Sequence, residues 1–176
     1  MKLRPRSEVI CFKGTKVLAN LTRGYVCFPG GGIDPTESAV EAAKREAREE
    51  ADRAVINCTV AHPPTVQMWK DSFKDEAWRK GCTGGITYWM TGSTSEEPAH
   101  ADPNDRHDDY EPGFSWHPVT AVLEALRKES GGEWADDVRV RIDVLASHQK
   151  MFRPHKFASA QVEVPSLGSP LAIPSV

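Results

Sequence analysis

Three acidic residues, Glu46, Glu49 and Glu50, lie in the run 38–51 (SAVEAAKREAREEA), which holds no glycine or proline and is rich in strong helix formers. On a helix turning by about 100° per residue, Glu49 falls about 60° to one side of Glu46 and Glu50 about 40° to the other. The three carboxylates share one arc, while Lys44 and Arg48 fall on the far side and cannot neutralise them. Like-charge pairs at these spacings each cost about 0.2–0.5 kcal/mol in an isolated helix. A divalent cation would reverse that sign. Carboxylate oxygens are hard ligands suited to Mg²⁺, with Mn²⁺ as an alternative, and such ions commonly join a few carboxylates to substrate phosphate oxygens. The competing explanation, a solvated acidic face, accounts for the glutamates taken alone.

The neighbouring residues favour the metal. Ser38 and Glu41 have capping-box spacing and predict the helix start, although 34–37 (DPTE) offers a competing start one turn earlier. Ala39, Ala42 and Ala43 lie on or beside the carboxylate arc and put little bulk over it. Arg45 stands beside Glu49, with Glu41 and Glu49 each four residues away, and is placed to hold this face in register. Upstream, a strand at 25–28 (YVCF) feeds Pro29, Gly30, Gly31 and Gly32, a turn without Cβ atoms that lets backbone approach a ligand closely.

The remaining elements must hold this pair of segments together. Strands are predicted at 7–13 (SEVICFK), 16–21 (KVLANL), 55–60 (VINCTV), from 66 toward 69, at 86–91 (ITYWMT) and at 114–116 (FSW). The strand at 55–60 should end at His62, Pro63 and Pro64. A charged stretch at 70–80 intervenes, and 92–113 reads as a long acidic loop containing Glu96, Glu97, Asp102, Asp105, Asp108, Asp109 and Glu111. An amphipathic helix is expected at 118–128 and a last helix near 134–151, and residues 153–176, with four prolines, should form an extended or disordered tail. At 176 residues, 39% hydrophobic and 27% charged, the chain suits one globular domain with a tail. The net charge of −3 argues against an extended nucleic-acid surface. A mean hydropathy of −0.48 and the lack of an apolar run near twenty residues argue against a membrane-spanning helix. The start of the chain lacks the apolar core of a secretory signal, and Cys11, Cys27, Cys58 and Cys82 show no paired spacing. A reducing, cytoplasmic setting is the expectation.

The spacing G-x5-E-x7-R-E-x-x-E-E, carried by Gly31, Glu37, Arg45, Glu46, Glu49 and Glu50, resembles the signature box of the Nudix hydrolases. The box spans 31–53, and the flanking strands and the Trp116-His117-Pro118 lead into a helix also suit a domain of that kind over residues 1–152. The resemblance implies an α/β fold, an α/β/α sandwich on a mixed sheet. It implies Mg²⁺-dependent cleavage of a diphosphate linked to another group, usually a nucleoside diphosphate derivative. Glu46, Glu49 and Glu50 would be metal ligands, joined by the Gly30 carbonyl, and Arg45 with Glu37 would form the ion pair that orients the helix. In one departure, Asp52 and Arg53 replace the glycine and apolar residue usual after the box glutamates. A left-handed Asp52 would cost about 1–2 kcal/mol, less for Asp than for most residues.

Hydrolysis would proceed by attack of water on phosphorus, with Glu49 or Glu50 as base and Glu111 as the preferred additional acid from the acidic loop. The partner is expected to be a small phosphorylated substrate, a nucleoside triphosphate or dinucleotide-type diphosphate first, with a diphosphoinositol polyphosphate or RNA 5′ end as alternatives. No proline or tyrosine stands at 68–71, fifteen to eighteen residues past the box, to mark a subfamily. Trp69, Trp78, Trp89 and Trp116 are expected in the core or at its rim rather than stacked on a base, and His62, His107 and His117 in structural or exposed roles. Nudix domains often dimerise, and a homodimer remains open. From a different class, a non-catalytic nucleotide-sensing module is the alternative, disfavoured by the presence of all three glutamates.

Overall fold

The computed structural model describes residues 2–69, 81–99, 113–130 and 135–151. Strands β1 (Leu3–Lys13), β2 (Lys16–Asn20), β3 (Gly30–Gly32), β4 (Arg53–Met68), β5 (Gly84–Pro98) and β6 (Phe114–Pro118) form one mixed sheet in the order β4-β5-β1-β2-β6, with β3 paired to β1. The β1–β5 pairing is parallel, and the remaining pairs are antiparallel. Helix α1 (Ala39–Ala51) packs on one face, and α2 (Val119–Glu129) and α3 (Ala135–Met151) pack on the other. This is the expected α/β sandwich.

Alternation along β1 builds both layers, since successive side chains point to opposite faces. Val9 and Cys11 join Leu18, Val55 and Met90 beneath Ala43, Ala47 and Ala51 of α1. Ile10 and Phe12 join Val17, Val26 and Phe28 beneath Val122, Leu123 and Leu126 of α2 and Val138 and Leu145 of α3. The alanines of α1 are therefore packing residues: Ala42, Ala43 and Ala47 are wholly buried, and their small size lets the helix lie close to the sheet. Burial in the first layer pushes the Cys11 thiol up to about 12, so it behaves as a small apolar group there.

Several boundaries differ from those expected, each for a physical reason. β1 begins at Leu3, four residues early, because its start pairs in parallel with β5 from Gly84 onward. Residues 25–28 make only an isolated bridge, Cys27 to Asn20, while the glycines expected as a turn are themselves strand β3. The prolines at 63 and 64 do not end β4, which runs unbroken on the sheet edge, where missing amides are tolerated. Register shifts on both sides of His62 absorb them. β5 continues to Pro98, so its last residues, expected in the acidic loop, pair with the start of β4. The expected helices at 118–128 and 134–151 are present as α2 and α3, Trp134 itself lying outside the described residues. So do the charged stretch 70–80 with Trp78, the loop residues Asp102, Asp105, His107, Asp108, Asp109 and Glu111, and the tail 153–176.

Trp89 is wholly buried and Trp69 nearly so, as core residues. All four cysteines are free thiols. His148 stacks on Phe12, ring centroids 3.5 Å apart, and its Nε2 donates to the Gly14 carbonyl at the β1–β2 turn. No helix among the described residues is long and apolar enough to cross a membrane.

Candidate active site

Helix α1 starts as its sequence predicts. Ser38 Oγ accepts the Glu41 amide while the Glu41 carboxylate accepts the Ser38 amide at 2.7 Å, a complete capping box. The competing start at 34–37 is instead a turn in which Glu37 accepts the Asp34 amide. At the other end Asp52 takes the left-handed conformation, φ 52° and ψ 46°, and its amide donates to the Ala47 and Arg48 carbonyls. The unusual residue thus serves as an ordinary helix stop. Ser7 Oγ, donating to the Ala39 carbonyl at 2.7 Å, fixes the start of α1 against β1.

Strand β3 lies against the carboxylate side of that helix. Gly30 pairs with Glu8 of β1, and a Cβ on Gly30 would stand 2.6 Å from the Ser7 carbonyl oxygen and 2.8 Å from Glu8 Cα. A Cβ on Gly31 would lie 2.7 Å from Glu46 Oε2 and 2.5 Å from its Cδ, inside the carboxylate. Two glycines are therefore needed, one for the sheet pairing and the next for Glu46. The Gly30 amide donates to Glu50 Oε2 at 3.0 Å, so backbone and helix hold each other.

Arg45 organises the rest. It donates through Nε and Nη2 to both oxygens of Glu37, at 3.2 and 2.7 Å, and through Nη2 to the Gly32 carbonyl at 2.9 Å. Its Nη1 donates to Glu46 Oε1 and Glu49 Oε2, each at 2.9 Å. The expected Arg45–Glu37 and Arg45–Glu49 pairs are formed, whereas Glu41 is taken by the cap. The arc is not free of cations, because Arg45 reaches Glu46 as well. Hydrogen bonding to Glu37 holds the Arg45 guanidinium well above its ordinary value, and the same bonds hold Glu37 below the usual carboxylate range. Burial pushes the Glu46 carboxyl up, against the pull of Arg45.

The structure brings Glu37, Arg45, Glu46 and Glu49 into one cluster, and Glu50 onto Gly30 beside it. Glu111 lies outside the described residues. Among the described residues no three acidic, histidine or cysteine side chains converge closely enough to enclose an ion. The donor set nevertheless fits a hard divalent cation in kind: all the groups are carboxylate oxygens, and two of them meet at a single Arg45 nitrogen. The Cβ-free backbone of β3 lets the Glu46 carboxylate lie directly against Gly31, where any side chain would displace it.

Sequence reasoning missed a second charged cluster on the opposite face of the sheet. Arg141 of α3 grips Glu8 with Nε and Nη2, both at 2.7 Å, and reaches the Val26 carbonyl at 3.3 Å. Its guanidinium carbon stands 5.9 Å from the Phe28 ring centroid and 5.8 Å from that of Trp89. Asp137 accepts from Thr65 Oγ1, which in turn accepts from Trp89 Nε1, each at 3.0 Å. A signal was present. Glu8 occupies the inward parity of Ile10 and Phe12, and Arg141 the helical face of Val138 and Leu145, so opposite charges sit where apolar residues belong.

A family model, the NUDIX domain, matches residues 4–138. The chain belongs to this family, whose members hydrolyse phosphorus-containing anhydrides and generally use divalent metals. Among solved structures, a NUDIX hydrolase from Nitrosomonas europaea superposes with a TM-score of 0.55 at 16% identity, covering 83% of this chain and 90% of that one. A MutT protein from Bacillus halodurans gives 0.55 at 21% identity over 81% and 82% of the two chains. A protein described as an ADP compounds hydrolase gives 0.52 at 15% over 84% and 74%. At these identities the likeness is one of fold. No curated protein matches the sequence significantly.

Proposed function

We propose that this chain, as a single catalytic domain over residues 1–152, is a Mg²⁺-dependent pyrophosphohydrolase acting on a nucleoside diphosphate derivative such as a nucleoside triphosphate or a dinucleotide-type diphosphate. The observation that carries the reading is the Arg45-centred set of Glu37, Glu46 and Glu49 against a strand of three glycines, with Glu50 seated on the Gly30 amide. Glu46, Glu49 and Glu50, with the Gly30 backbone, are the residues that would hold Mg²⁺ or Mn²⁺. Bound there, the ion supplies Lewis-acid neutralisation of the diphosphate and favours deprotonation of water.

The chain's own residues do the rest. Arg45, fixed by Glu37, holds Glu46 and Glu49 at set positions, so little reorganisation is needed when the substrate arrives. Glu49 or Glu50 accepts the proton of the attacking water as the new P–O bond forms in line with the departing phosphate oxygen. Glu111, outside the described residues, is the additional acid proposed. The mild net negative charge suits a small phosphorylated molecule better than a long nucleic acid.

The test is phosphate release, after phosphatase coupling, from a panel of nucleoside triphosphates, dinucleotide diphosphates, diphosphoinositol polyphosphates and triphosphorylated RNA with Mg²⁺, Mn²⁺ or EDTA. Metal-dependent turnover of one nucleotide class is expected. Nucleotide binding without turnover of any compound would replace this reading with a sensor.

A further inference from the structure

We propose that the Glu8–Arg141 ion pair is a positioning device for the metal-holding strand, acting through the sheet from the face opposite α1. The proposal rests on the reading above and deepens it.

Ser7 and Glu8 are adjacent in β1 and point to opposite faces. Ser7 bonds to α1, and Glu8 faces α3. Glu8 is also the residue paired with Gly30, and its Cα and Cβ lie where a Gly30 side chain would begin. Gly30 in turn donates to Glu50. A continuous path of covalent and hydrogen-bonded contacts therefore runs from Arg141 to Glu8, along β1 to the Val9 amide, across to the Pro29 carbonyl, and through Gly30 to a proposed metal ligand. The same guanidinium holds the Val26 carbonyl and lies near Phe28, so it grips the segment that delivers Pro29 and Gly30 as well as the strand they pair with. Pro29 is tied to β1 by its carbonyl, which accepts the Val9 amide at 2.9 Å. An ion pair that served only to bury α3 had no need to engage the two segments flanking Gly30. Two parallel N–H bonds from a planar fork fix orientation as well as distance, which a lysine ammonium cannot do.

The decisive variant is Arg141→Lys in the full chain, with Leu145→Val on the same helix as a packing control and Mn²⁺ as the probe. Free Mn²⁺ measured by electron paramagnetic resonance gives metal affinity without reference to turnover. Arg141→Lys should weaken Mn²⁺ binding about 10- to 100-fold, the range typical of partners that orient metal ligands. Its kcat at fixed metal should fall, and added metal should restore it, while Leu145→Val leaves affinity unchanged at an equal or greater loss of melting temperature. Equal affinities in Arg141→Lys and the control, with wild-type turnover intact, overturn the positioning role alone. A wild type that neither binds Mn²⁺ nor turns over any nucleotide overturns the parent reading with it. If Arg141→Lys does not fold, Glu8→Gln carries the same comparison. Failure of both to fold assigns the pair to stability alone and sinks the proposal.

Discussion

The two faces of the sheet each hold an arginine clasped by carboxylates, and they use it differently. On the α1 face Arg45, with its side chain 31% exposed, faces Glu37, Glu46 and Glu49, three acids around one cation. On the α3 face Arg141, 15% exposed, meets Glu8 at 6% in a bidentate pair with fork and carboxylate matched. The first cluster carries surplus negative charge, its acids 11–19% exposed, beside backbone stripped of side chains. The second is nearly sealed by Phe28, Trp89 and α3. Surplus charge near solvent suits recruitment of a cation and release of a product. A matched pair in the interior suits fixing geometry, since its burial is tolerable only when both partners stay.

The largest expected effect that tests this contrast falls on turnover. Glu49→Gln or Glu50→Gln should lower turnover by about 10²–10⁴-fold, the usual loss for a proton-accepting group, with the far-ultraviolet circular dichroism unchanged. Wild-type rates in both would remove the α1 face from the reaction. Next come the arginines, read by urea denaturation. Arg141→Met strands Glu8 inside the protein and should cost about 3–5 kcal/mol. Arg45→Met leaves its acids nearer water and should cost about 1–3 kcal/mol. The reverse order would break the comparison. Smaller still is the response to metal. Mg²⁺ at three times its dissociation constant should stabilise the wild type by about 0.8 kcal/mol. That gain should be lost in Glu46→Gln, and a thermal melt with and without Mg²⁺ reads it directly.

The sequence disclosed these two faces unequally because their information is spaced differently. Glu41, Arg45, Glu46, Glu49 and Glu50 lie within one helix, with Glu37 and the cap Ser38 just before it, so fixed helical geometry turns spacing into contact. A left-handed residue at 52 was raised only through the family resemblance, whose box usually has glycine there, and the structure shows Asp52 in that conformation. Contacts between segments were not legible. Glu8 and Arg141 are 133 residues apart, and only the packed sheet sets their distance. The continuity of β4 through Pro63 and Pro64 depends on being an edge strand, a property of the whole sheet rather than of the run itself. The three glycines of β3 carry no side-chain pattern to read, and what makes them a strand is the neighbouring β1 backbone they can approach.

The smallest effect sharpens the account of the closed face. Burial, then the Glu8 charge, pushes the Asp137 carboxyl above its ordinary value, with Arg141, Thr65 and Arg6 opposing. Glu8, Arg141 and Asp137 together carry one negative charge more than the pair requires. A raised folded-state value means that the native protein binds this proton more tightly than the unfolded chain. Ionised Asp137 therefore detracts from stability at neutral pH, and the penalty disappears as pH falls through its folded-state value toward the unfolded one. Asp137→Asn keeps an oxygen to accept from Thr65 and removes the surplus charge. Its melting temperature should exceed that of the wild type at pH 7, and the gap should close on acidification. A gap that is reversed at neutral pH, or that widens toward acid, would show that Arg141 needs both carboxylates and that the closed face is no matched pair.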